Sequence, residues 1–429
     1  MNNSQNNDRR FIEDYIPIRQ ISEEASKEKT GGHKGHISTL HIWWARRPLT
    51  ACRAAVFGAL VPAPKNSQER ATMAKFMIDL CKYKVSERTI TTAKQKILEA
   101  NSGKPPKVLD MFAGGGSIPL EALRLGCEAY ALELNPVAHL IELCTLVYPQ
   151  KYGKKLADEV EKWGKWVIER VKEEIGDLYP LIPDPENPPK EIKHEYQMQL
   201  DGLEDKQPSL KTQGGYLTPV AYLWTRTVKC PNPECGATVP LVRQTWLCRK
   251  KGRYIALRPI PDHKNKRVRF EVVSATREED LGFDPSLGSS RGETTCPFRG
   301  CSVKSEYVKS EGKAKRMGQQ LMAVVCINAN QRGKIYLPVN VLENIVPNEQ
   351  EIKERLKNVC KESGLTLPDE PLTGKLTDQL PAYGMSTFID VFTPRQLLTL
   401  MTFCKYVRLA RETIAKKKKD EGLIKAITT

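Results

Sequence analysis

The chain has 429 residues with 67 Lys or Arg and 51 Asp or Glu, which gives a formal net charge of +16. Its length predicts roughly two to three domains, and 40% hydrophobic and 28% charged residues are typical of a globular protein. This composition excludes a disordered tail, a collagen-like chain and a small disulfide scaffold. The sequence has neither an apolar run of about 18 residues nor a signal segment, so we expect a cytoplasmic chain without membrane association. The positive charge favours a polyanionic partner, with nucleic acid first.

Apolar periodicity and turn signals divide the sequence into four regions. The first is predicted to be mainly helical, and the second contains a strand, a glycine loop and a long amphipathic helix over residues 151–179. The third combines short β-like runs with cysteine pairs, which predicts a mostly β insertion. The fourth is predicted to be helical, with a last helix that starts at Thr393 and Pro394, and it ends in a lysine-rich tail. The four regions are residues 11–100, 101–214, 215–345 and 346–429.

A glycine loop is the clearest feature of the second region. Residues 107–126, KVLDMFAGGGSIPLEALRLG, predict a buried strand that ends at Asp110, a turn over residues 113–116 and a helix. Because glycine has no Cβ, a ligand can approach the backbone of such a turn closely, and ligands of open α/β sheets bind at the carboxyl ends of strands. A second apolar run, residues 128–132, ends at Glu133. An acid at that place can accept hydrogen bonds from both hydroxyls of a ribose.

Three interpretations of this loop are open: a plain strand-to-helix turn, a dinucleotide site and an S-adenosylmethionine (AdoMet) site. The G-x-G-x-x-G spacing of dinucleotide sites is absent, since the run reads GGGSIP. We favour AdoMet, because residues 110–116, DMFAGGG, resemble the first motif, D-x-F-x-G-x-G, of AdoMet-dependent enzymes that methylate amino groups of DNA. Residues 133–136, ELNP, resemble the ribose-binding second motif of that family. The resemblance implies that the cofactor is held by Asp110, Phe112, Ala113, Gly114, Gly116, Glu133 and Asn135.

The segment LHIWWARRPL at residues 40–49 combines adjacent Trp and adjacent Arg. Adjacent tryptophans are costly to expose, so at least one ring is expected to be buried. Cations at the start of a helix oppose its dipole, so Arg46 and Arg47 need an anionic partner. Surface carboxylates, the AdoMet carboxylate and DNA phosphate are the three candidates, since Arg offers a bidentate fork to each. His41 with Arg47 and Pro48 loosely resembles the motif that amino-methyltransferases place beside the methionine end of AdoMet.

Two cysteine pairs in the third region share the spacing C-x4-C, with a glycine beside each pair. Twelve cysteines in a chain without an export signal favour thiols or metal ligands over disulfides. Two such knuckles supply four thiolates for one tetrahedral, structural Zn²⁺, whereas buried free thiols are the alternative. Cys248 has no partner at knuckle spacing, and Cys326 lies in an apolar run that predicts a buried strand. The expected zinc ligands are Cys230, Cys235, Cys296 and Cys301.

Six segments in one order, spread over about residues 11–410, are similar to one prokaryotic family. They read YIPIRQISEEASKEK, LHIWWARRPL, VLDMFAGGGSIPLEALRLG, ELNPVA, AYLWTRTVKCPNPECG and FTPRQLL. The family is described as adenine-specific DNA methylases containing a zinc ribbon, and its N-terminal region is a domain of unknown function numbered 1156. The resemblance implies a Rossmann-like α/β methyltransferase sheet with an inserted, mostly β zinc-ribbon domain. It also implies adenine-N6 methylation of DNA in restriction-modification or phage defence.

One motif of the resembling families is missing from this sequence. Their D/N-P-P-Y/F/W motif binds the target amino group and stacks the flipped base on an aromatic ring. The nearest match, NPPK at residues 187–190, ends in a Lys that cannot stack. In the family the motif follows the FTPRQLL helix, and this chain ends soon after that segment. The catalytic residues are therefore unknown.

Three functions remain open at the level of sequence. The favoured one is a DNA adenine methyltransferase that lacks its catalytic motif in this chain. The second is a split enzyme or a non-catalytic AdoMet- and DNA-binding subunit, completed by a second polypeptide that carries the motif. The third is an RNA methyltransferase. Candidates for DNA contact are Arg46, Arg47 and the lysine-rich tail, with an apolar face near Val391 and Phe392 as a candidate partner surface.

Overall fold

A computed structural model describes residues 9–30, 37, 40–189, 215–328, 331, 333–342, 348–375 and 379–429. The chain forms two compact units, one made of residues 1–163 and 411–429 and the other of residues 164–410. The domain boundaries expected after residues 214 and 345 fall on residues outside the described ranges. Within those ranges, no helix is both long enough and apolar enough to cross a membrane.

Five α-helices precede the glycine loop in the described part of the first unit. Asn66 and Ser86 cap two of them, because each side chain accepts a hydrogen bond from a backbone N–H of the first turn. The helices pack around fully buried side chains that include Phe57, Met77 and Leu80. Their bounds are α1 Phe11–Asp14, α2 Ile18–Thr30, α3 Leu49–Leu60, α4 Ser67–Leu80 and α5 Glu87–Ala100.

A parallel β–α–β unit follows, with β1 at Lys107–Asp110, α6 at Ser117–Arg124 and β2 at Glu128–Ala131. Val108 and Ala129 pack against the helical core, whereas Leu109 and its register partner Tyr130 lie on the opposite face. Leu109 is 57% exposed, so the prediction of a buried strand is wrong for this face. The reason is that α6 and the helical core cover the face with Val108 and Ala129, whereas the face with Leu109 and Tyr130 is left largely exposed in the described part of the chain. The Rossmann-like sheet stays a prediction, since such a unit occurs in several α/β folds.

The first unit continues through α7 at Pro136–Glu142 and a π-helical turn at Leu143–Val147 into α8 at Tyr148–Ile175. This helix is kinked at Gly153, and its residues from 164 onward belong to the second unit. The first unit is completed by the end of the chain, where α12 at Glu421–Thr428 packs Leu423 and Ala426 against Tyr148 and Leu156. The lysine-rich tail is thus folded. Lys418 forms an ion pair with Glu159, while Lys416, Lys417 and Lys419 are exposed.

The second unit is built on a mixed eight-stranded sheet. The strands are β3 Ile182–Pro183, β4 Tyr216–Lys229, β5 Thr238–Pro240, β6 Trp246–Lys250, β7 Arg253–Asp262, β8 Arg267–Ala275, β9 Thr294–Thr295, β10 Ser302–Val303, β11 Gly318–Ile327 and β12 Lys334–Pro338, where β9 and β10 form a separate pair. The strand order of the sheet is β12-β11-β4-β5-β8-β7-β6, β3 pairs with β4, and the β5–β8 pair is parallel. Buried residues of β7, β8 and β11 contribute to its core, and α9 at Ser305–Lys313 and α10 at Glu349–Ser363 are further helices.

The last long helix, α11 at Pro394–Lys417, begins where the sequence predicts it. Thr393 caps it, because its hydroxyl accepts a hydrogen bond of 3.2 Å from the backbone N–H of Gln396. The side chain of Arg395 lies over the rings of Tyr179 and Tyr222. The arginine of the FTPRQLL segment therefore has a packing role inside the second unit.

Candidate functional site

The glycine loop joins β1 to α6 and has a conformation that depends on glycine. Gly114 and Gly116 have φ angles of +55° and +74°, in the left-handed region that residues with a Cβ rarely adopt. Gly116 is also the residue before the first turn of α6, and its N–H donates to the carbonyl of Ala113 at 2.9 Å. The loop therefore turns tightly and directs the N-terminus of α6 toward the carboxyl ends of the strands.

Two acidic side chains hold this loop in place. One carboxylate oxygen of Glu133 accepts a hydrogen bond from the N–H of Gly114 at 2.6 Å, and the other accepts from the N–H of Asn135 at 2.9 Å. These hydrogen bonds lower the pKa of Glu133, so it is ionised at neutral pH. Asp110 accepts a hydrogen bond from the N–H of Phe112 at 3.1 Å. The structure thus brings all seven predicted cofactor residues to the same edge of the two-stranded sheet, since Ala113 and Gly116 belong to the same loop.

Two apolar side chains at this edge are almost completely exposed. Phe112 is 88% exposed just after β1, and Leu134 is 97% exposed just after β2. The ends of these strands are adjacent, because Asp110 is the register partner of Ala131. Exposed apolar side chains that cluster at one place indicate a ligand or partner surface.

Trp43 packs directly on the glycine loop. A Cβ added to Gly114 would lie 2.7 Å from the indole Nε1 of Trp43, and one added to Gly115 would lie 3.2 Å from its Cβ. The missing Cβ atoms, which the sequence suggested would admit a ligand, therefore make room for Trp43. Its neighbour Trp44 is 86% exposed, and His41 is exposed with a ring nitrogen 3.0 Å from a backbone carbonyl. A small cavity beside the loop is lined by residues that include His41, Trp43, Arg46, Gly115, Ser117 and Thr145.

Glu28 is the anionic partner of Arg46. Its buried carboxylate accepts hydrogen bonds from the N–H groups of Leu49 and Thr50 at 3.0 and 3.2 Å and so caps α3. Nη1 of Arg46 lies 3.3 Å from Oε1 of Glu28, so the two side chains form an ion pair. The geometry of this contact is not that of a hydrogen bond. Arg47 is exposed and makes no hydrogen bond or ion pair with any described residue. Of the two arginines, Arg47 is the one whose charge is available to a ligand.

Arg53 of α3 fixes the helix that follows the loop. Its buried guanidinium donates to both carboxylate oxygens of Glu121 in α6, at 2.6 and 3.1 Å. It also donates to the carbonyls of Leu80 and Lys82, at 2.8 and 3.3 Å. Because α6 starts at the glycine loop, this network also positions the loop.

Glu142, the last residue of α7, is an acid that the sequence interpretation missed. Its side chain is buried, and Oε1 has no hydrogen-bond partner. A Cβ on Gly116 would lie 3.4 Å from Cγ of Glu142, so the carboxyl group lies against the loop. Burial raises the pKa of Glu142 to about 7, and the nearby charges of Glu133 and Asp110 add to this effect. The sequence did contain a signal for this residue, because Glu142 lies within an apolar run. A charged side chain that is buried without a partner costs free energy, so an acid in such a run indicates a special role.

Glu142→Gln should make the protein more stable at high pH. The folded pKa of about 7 exceeds the ordinary value of 4.5, so ionisation of Glu142 costs stability as pH rises from about 4.5 to about 7. The amide removes this cost, and we expect the free energy of unfolding to rise by about 1 to 3 kcal/mol at pH 8. Urea unfolding at pH 5 and pH 8 tests this, with Asp158→Asn on the exposed surface of α8 as the control. A gain that does not depend on pH would contradict the assignment.

Three of the four predicted zinc ligands lie together in the second unit. The sulfur atoms of Cys230, Cys235 and Cys296 are within 4.8 Å of one another, and all three residues are buried. A hydrogen bond from the N–H of Ala237 lowers the pKa of the Cys235 thiol, whereas burial raises the pKa of the Cys230 thiol to about 12. Cys301 is partly exposed and lies outside this group, with its sulfur 3.7 Å from Nδ2 of Asn232.

The turns around these cysteines have the form of knuckles. Gly236 and Gly300 have positive φ angles of +59° and +68°. The N–H of Gly300 donates to the carbonyl of Cys296 at 2.9 Å, so the second pair forms a tight turn. The other cysteines that the sequence singled out lie in strands. Cys326 is buried in β11, where burial raises its pKa to about 12, and Cys248 is half-buried in β6.

The structure identifies no base-binding motif among the described residues. Lys190 of the NPPK candidate lies outside the described ranges, and residues 187–189 carry no aromatic side chain. Val391 and Phe392 of the candidate partner surface are half-buried. The catalytic residues therefore stay unassigned.

Comparison with known families gives one match. Residues 15–80 match a family described as a protein of unknown function (DUF1156). This match supports the resemblance inferred for the N-terminal region. The matched segment contains Glu28, which caps α3, and Arg46, which forms an ion pair with Glu28. It also contains Trp43, which contacts the glycine loop, and Arg53, which binds Glu121 of α6. No curated protein and no solved structure matches the chain.

Proposed function

We propose that the chain binds AdoMet at the glycine loop and belongs to a DNA adenine-N6 methyltransferase used in restriction-modification or phage defence. The observation that carries the proposal is the position of Glu133. Its ionised carboxylate lies at the end of β2 and is hydrogen-bonded to the glycine loop at the end of the adjacent parallel strand. An acid so placed suits the hydroxyls of a ribose.

The other residues at this edge fit the remaining parts of the same molecule. Phe112 and Leu134 offer exposed apolar surface for an adenine ring. The N-terminus of α6 favours an anion, and the exposed Arg47 is a further candidate for the methionine carboxylate. When bound, AdoMet supplies an activated methyl group, while these residues bind and orient it. DNA contact is proposed for Arg47 and for the exposed lysines of the tail, because phosphates attract unpaired cations.

A second candidate function is an AdoMet-binding subunit that a second polypeptide completes. The specific observation is the exposed outer face of β1 and β2, which carries Leu109 and Tyr130. In the described part of the chain, both outer edges of this two-stranded sheet are unpaired. Unpaired strand edges beside an apolar face suit pairing with further strands.

We also propose that the three buried cysteines hold a structural Zn²⁺, with Cys301 as the fourth ligand. Buried thiols that are close together and framed by two glycine turns are typical of a structural zinc site. Cys301 belongs to the same tight turn as Cys296, because the N–H of Cys296 donates to its carbonyl. Four protein ligands would leave the metal no open position for chemistry.

AdoMet binding by isothermal calorimetry tests the main proposal. Glu133→Ala should weaken binding by a factor of about 10 to 100, because charge-assisted hydrogen bonds to the ribose are lost. Glu128→Ala, at the exposed start of the same strand, is the matched control and should change the Kd less than twofold. No AdoMet binding, or binding unaffected by Glu133→Ala, would overturn the cofactor assignment. A tritiated-methyl transfer assay on unmethylated DNA then separates the two functions, since binding without transfer favours the subunit.

A further inference from the structure

Positive charge is concentrated in one part of the second unit. Residues 215–328 contain 20 Lys or Arg and 10 Asp or Glu, so they carry +10 of the formal charge of +16. Half of these cations have no acid within the segment to balance them. A surface with such an excess of one sign attracts ligands of the opposite charge.

Four cations of this segment lie together where three strands meet. β4 ends at Lys229, whose register partner is Thr238 of β5, and Thr238 is in turn the register partner of Arg267 at the start of β8. Register partners lie side by side on one face of a sheet, and Nζ of Lys229 donates to the hydroxyl of Thr238 at 3.0 Å. Lys264 and Lys266 belong to the turn that leads into β8. All four cations are exposed, and we call them the strand-end patch: Lys229, Lys264, Lys266 and Arg267.

Two acids in the same neighbourhood are bound to other groups. Asp262 accepts hydrogen bonds from the N–H and the side-chain amide of Asn265 at 3.1 and 2.9 Å, and its carboxylate lies 3.7 Å from Nε of Arg269. Glu234, beside the first cysteine turn, forms an ion pair with Arg299 at 3.4 Å. In the described part of the chain, no acid forms an ion pair with a cation of the strand-end patch. The patch therefore keeps its positive charge for an external anion.

The turn that carries two of these lysines is held in a fixed conformation. The ring of His263 packs edge-on against Phe298, with ring centroids 5.4 Å apart, and the N–H of Thr238 donates to the carbonyl of Lys266 at 2.7 Å. Lys266 has a φ angle of +47°, in the left-handed region that glycine and asparagine adopt more easily. The lysine thus adds strain to the turn, while its charge makes no ion pair that would stabilise the fold. Cations on a rigid frame bind an anion at a lower entropy cost.

We propose that the strand-end patch binds the phosphate backbone of double-stranded DNA. Lys and Arg attract phosphates whatever the base sequence is, so this contact gives affinity and not sequence specificity. Proteins that bind single strands or RNA loops stack the bases on exposed aromatic rings. The patch consists of cations instead, and the ring of its turn, His263, is already packed on Phe298. The choice of DNA rests on the proposed function, to which the inference adds a binding surface in the second unit.

The test compares two double variants of the full chain, each of which lacks two exposed lysines. Lys264→Gln with Lys266→Asn should weaken binding of a fluorescent 20-base-pair duplex about 5- to 20-fold at about 0.1 M salt, measured by fluorescence anisotropy. The dependence of the affinity on salt should also become less steep, by about 2 in the slope of log K against log salt. Lys250→Gln with Lys251→Gln changes the turn at the other end of β7, about 30 Å away, and should alter the Kd less than twofold.

The first double variant is chosen so that loss of folding cannot explain its effect. Asparagine adopts the left-handed conformation of Lys266 more easily than lysine does, so this variant should be at least as stable as the wild type in urea. Its affinity for AdoMet, measured by calorimetry, should also be unchanged.

Equal losses in the two double variants would show a general attraction of charge and would overturn the assignment of the patch. Binding of single-stranded RNA or of phosphatidylserine vesicles as tightly as duplex DNA would overturn the choice of ligand. A wild-type chain that binds AdoMet but no duplex overturns this inference and leaves the cofactor assignment standing. A chain that binds duplex DNA through the patch but no AdoMet supports this inference and overturns the cofactor assignment.

Discussion

Arg53→Met should lower the free energy of unfolding by about 3 to 5 kcal/mol, because it leaves the carboxylate of Glu121 buried without its main partner. The side chains of Arg53 and Glu121 are 2% and 0% exposed, so water cannot replace the lost hydrogen bonds. The variant also leaves the carbonyls of Leu80 and Lys82 without this donor. Urea unfolding measures the loss, and hydrogen exchange of peptides from α3 and α6 should localise it to the first unit.

Arg124→Met is the matched control for this experiment. Arg124 also forms an ion pair with Glu121, at 2.7 Å, but its side chain is 40% exposed, so we expect a loss below about 1 kcal/mol. The double variant Arg53→Met with Glu121→Leu removes both charges and should recover much of the stability. Similar small losses for Arg53→Met and Arg124→Met would contradict a structural role for the buried pair. Because α6 starts at the glycine loop, Arg53→Met is also expected to weaken AdoMet binding.

Cys296→Ser should abolish zinc binding and destabilise the second unit. The purified wild-type protein is expected to contain about one zinc per chain, since its clustered thiols suit a single tetrahedral ion. Removal of one buried ligand leaves too few thiolates to retain the metal against a chelator. Metal analysis by mass spectrometry and thermal unfolding with and without chelator measure both effects.

Two further cysteine variants sharpen the zinc experiment. Cys326→Ser changes a buried thiol in β11, outside the cluster, and should leave the zinc content at one per chain. Cys301→Ser should also lose zinc if Cys301 is the fourth ligand. Full zinc content in Cys301→Ser would exclude Cys301 from the site, and full content in Cys296→Ser would overturn the zinc proposal.

Local features of the glycine loop and of the helix starts were predictable from sequence. The order strand, turn and helix around residues 107–126 follows from apolar periodicity and from glycines at positions that need positive φ. The start of α11 follows in the same way from Thr393 and Pro394. The cysteine turns are equally local, since each pair and its glycine lie within a few residues. These turns and helix starts depend on residues that are adjacent in the sequence, so a short sequence pattern is enough to predict them.

Only the tertiary structure decided which distant residues meet. The sequence indicated that Arg46 needs an anionic partner, and the structure shows that this partner is Glu28, 18 positions away. Glu28 lies there because its carboxylate also caps α3. The glycines indicated a close approach to the loop backbone, and the fold shows that Trp43, about 70 positions away in the sequence, makes such an approach at Gly114 and Gly115. Spacing grouped Cys301 with three other cysteines, and the fold packs it against their cluster with its sulfur outside the 4.8 Å group. Sequence determined the local backbone and the chemical types present, because these depend on adjacent residues. The contacts of the site depend on how whole helices pack, which no short pattern specifies.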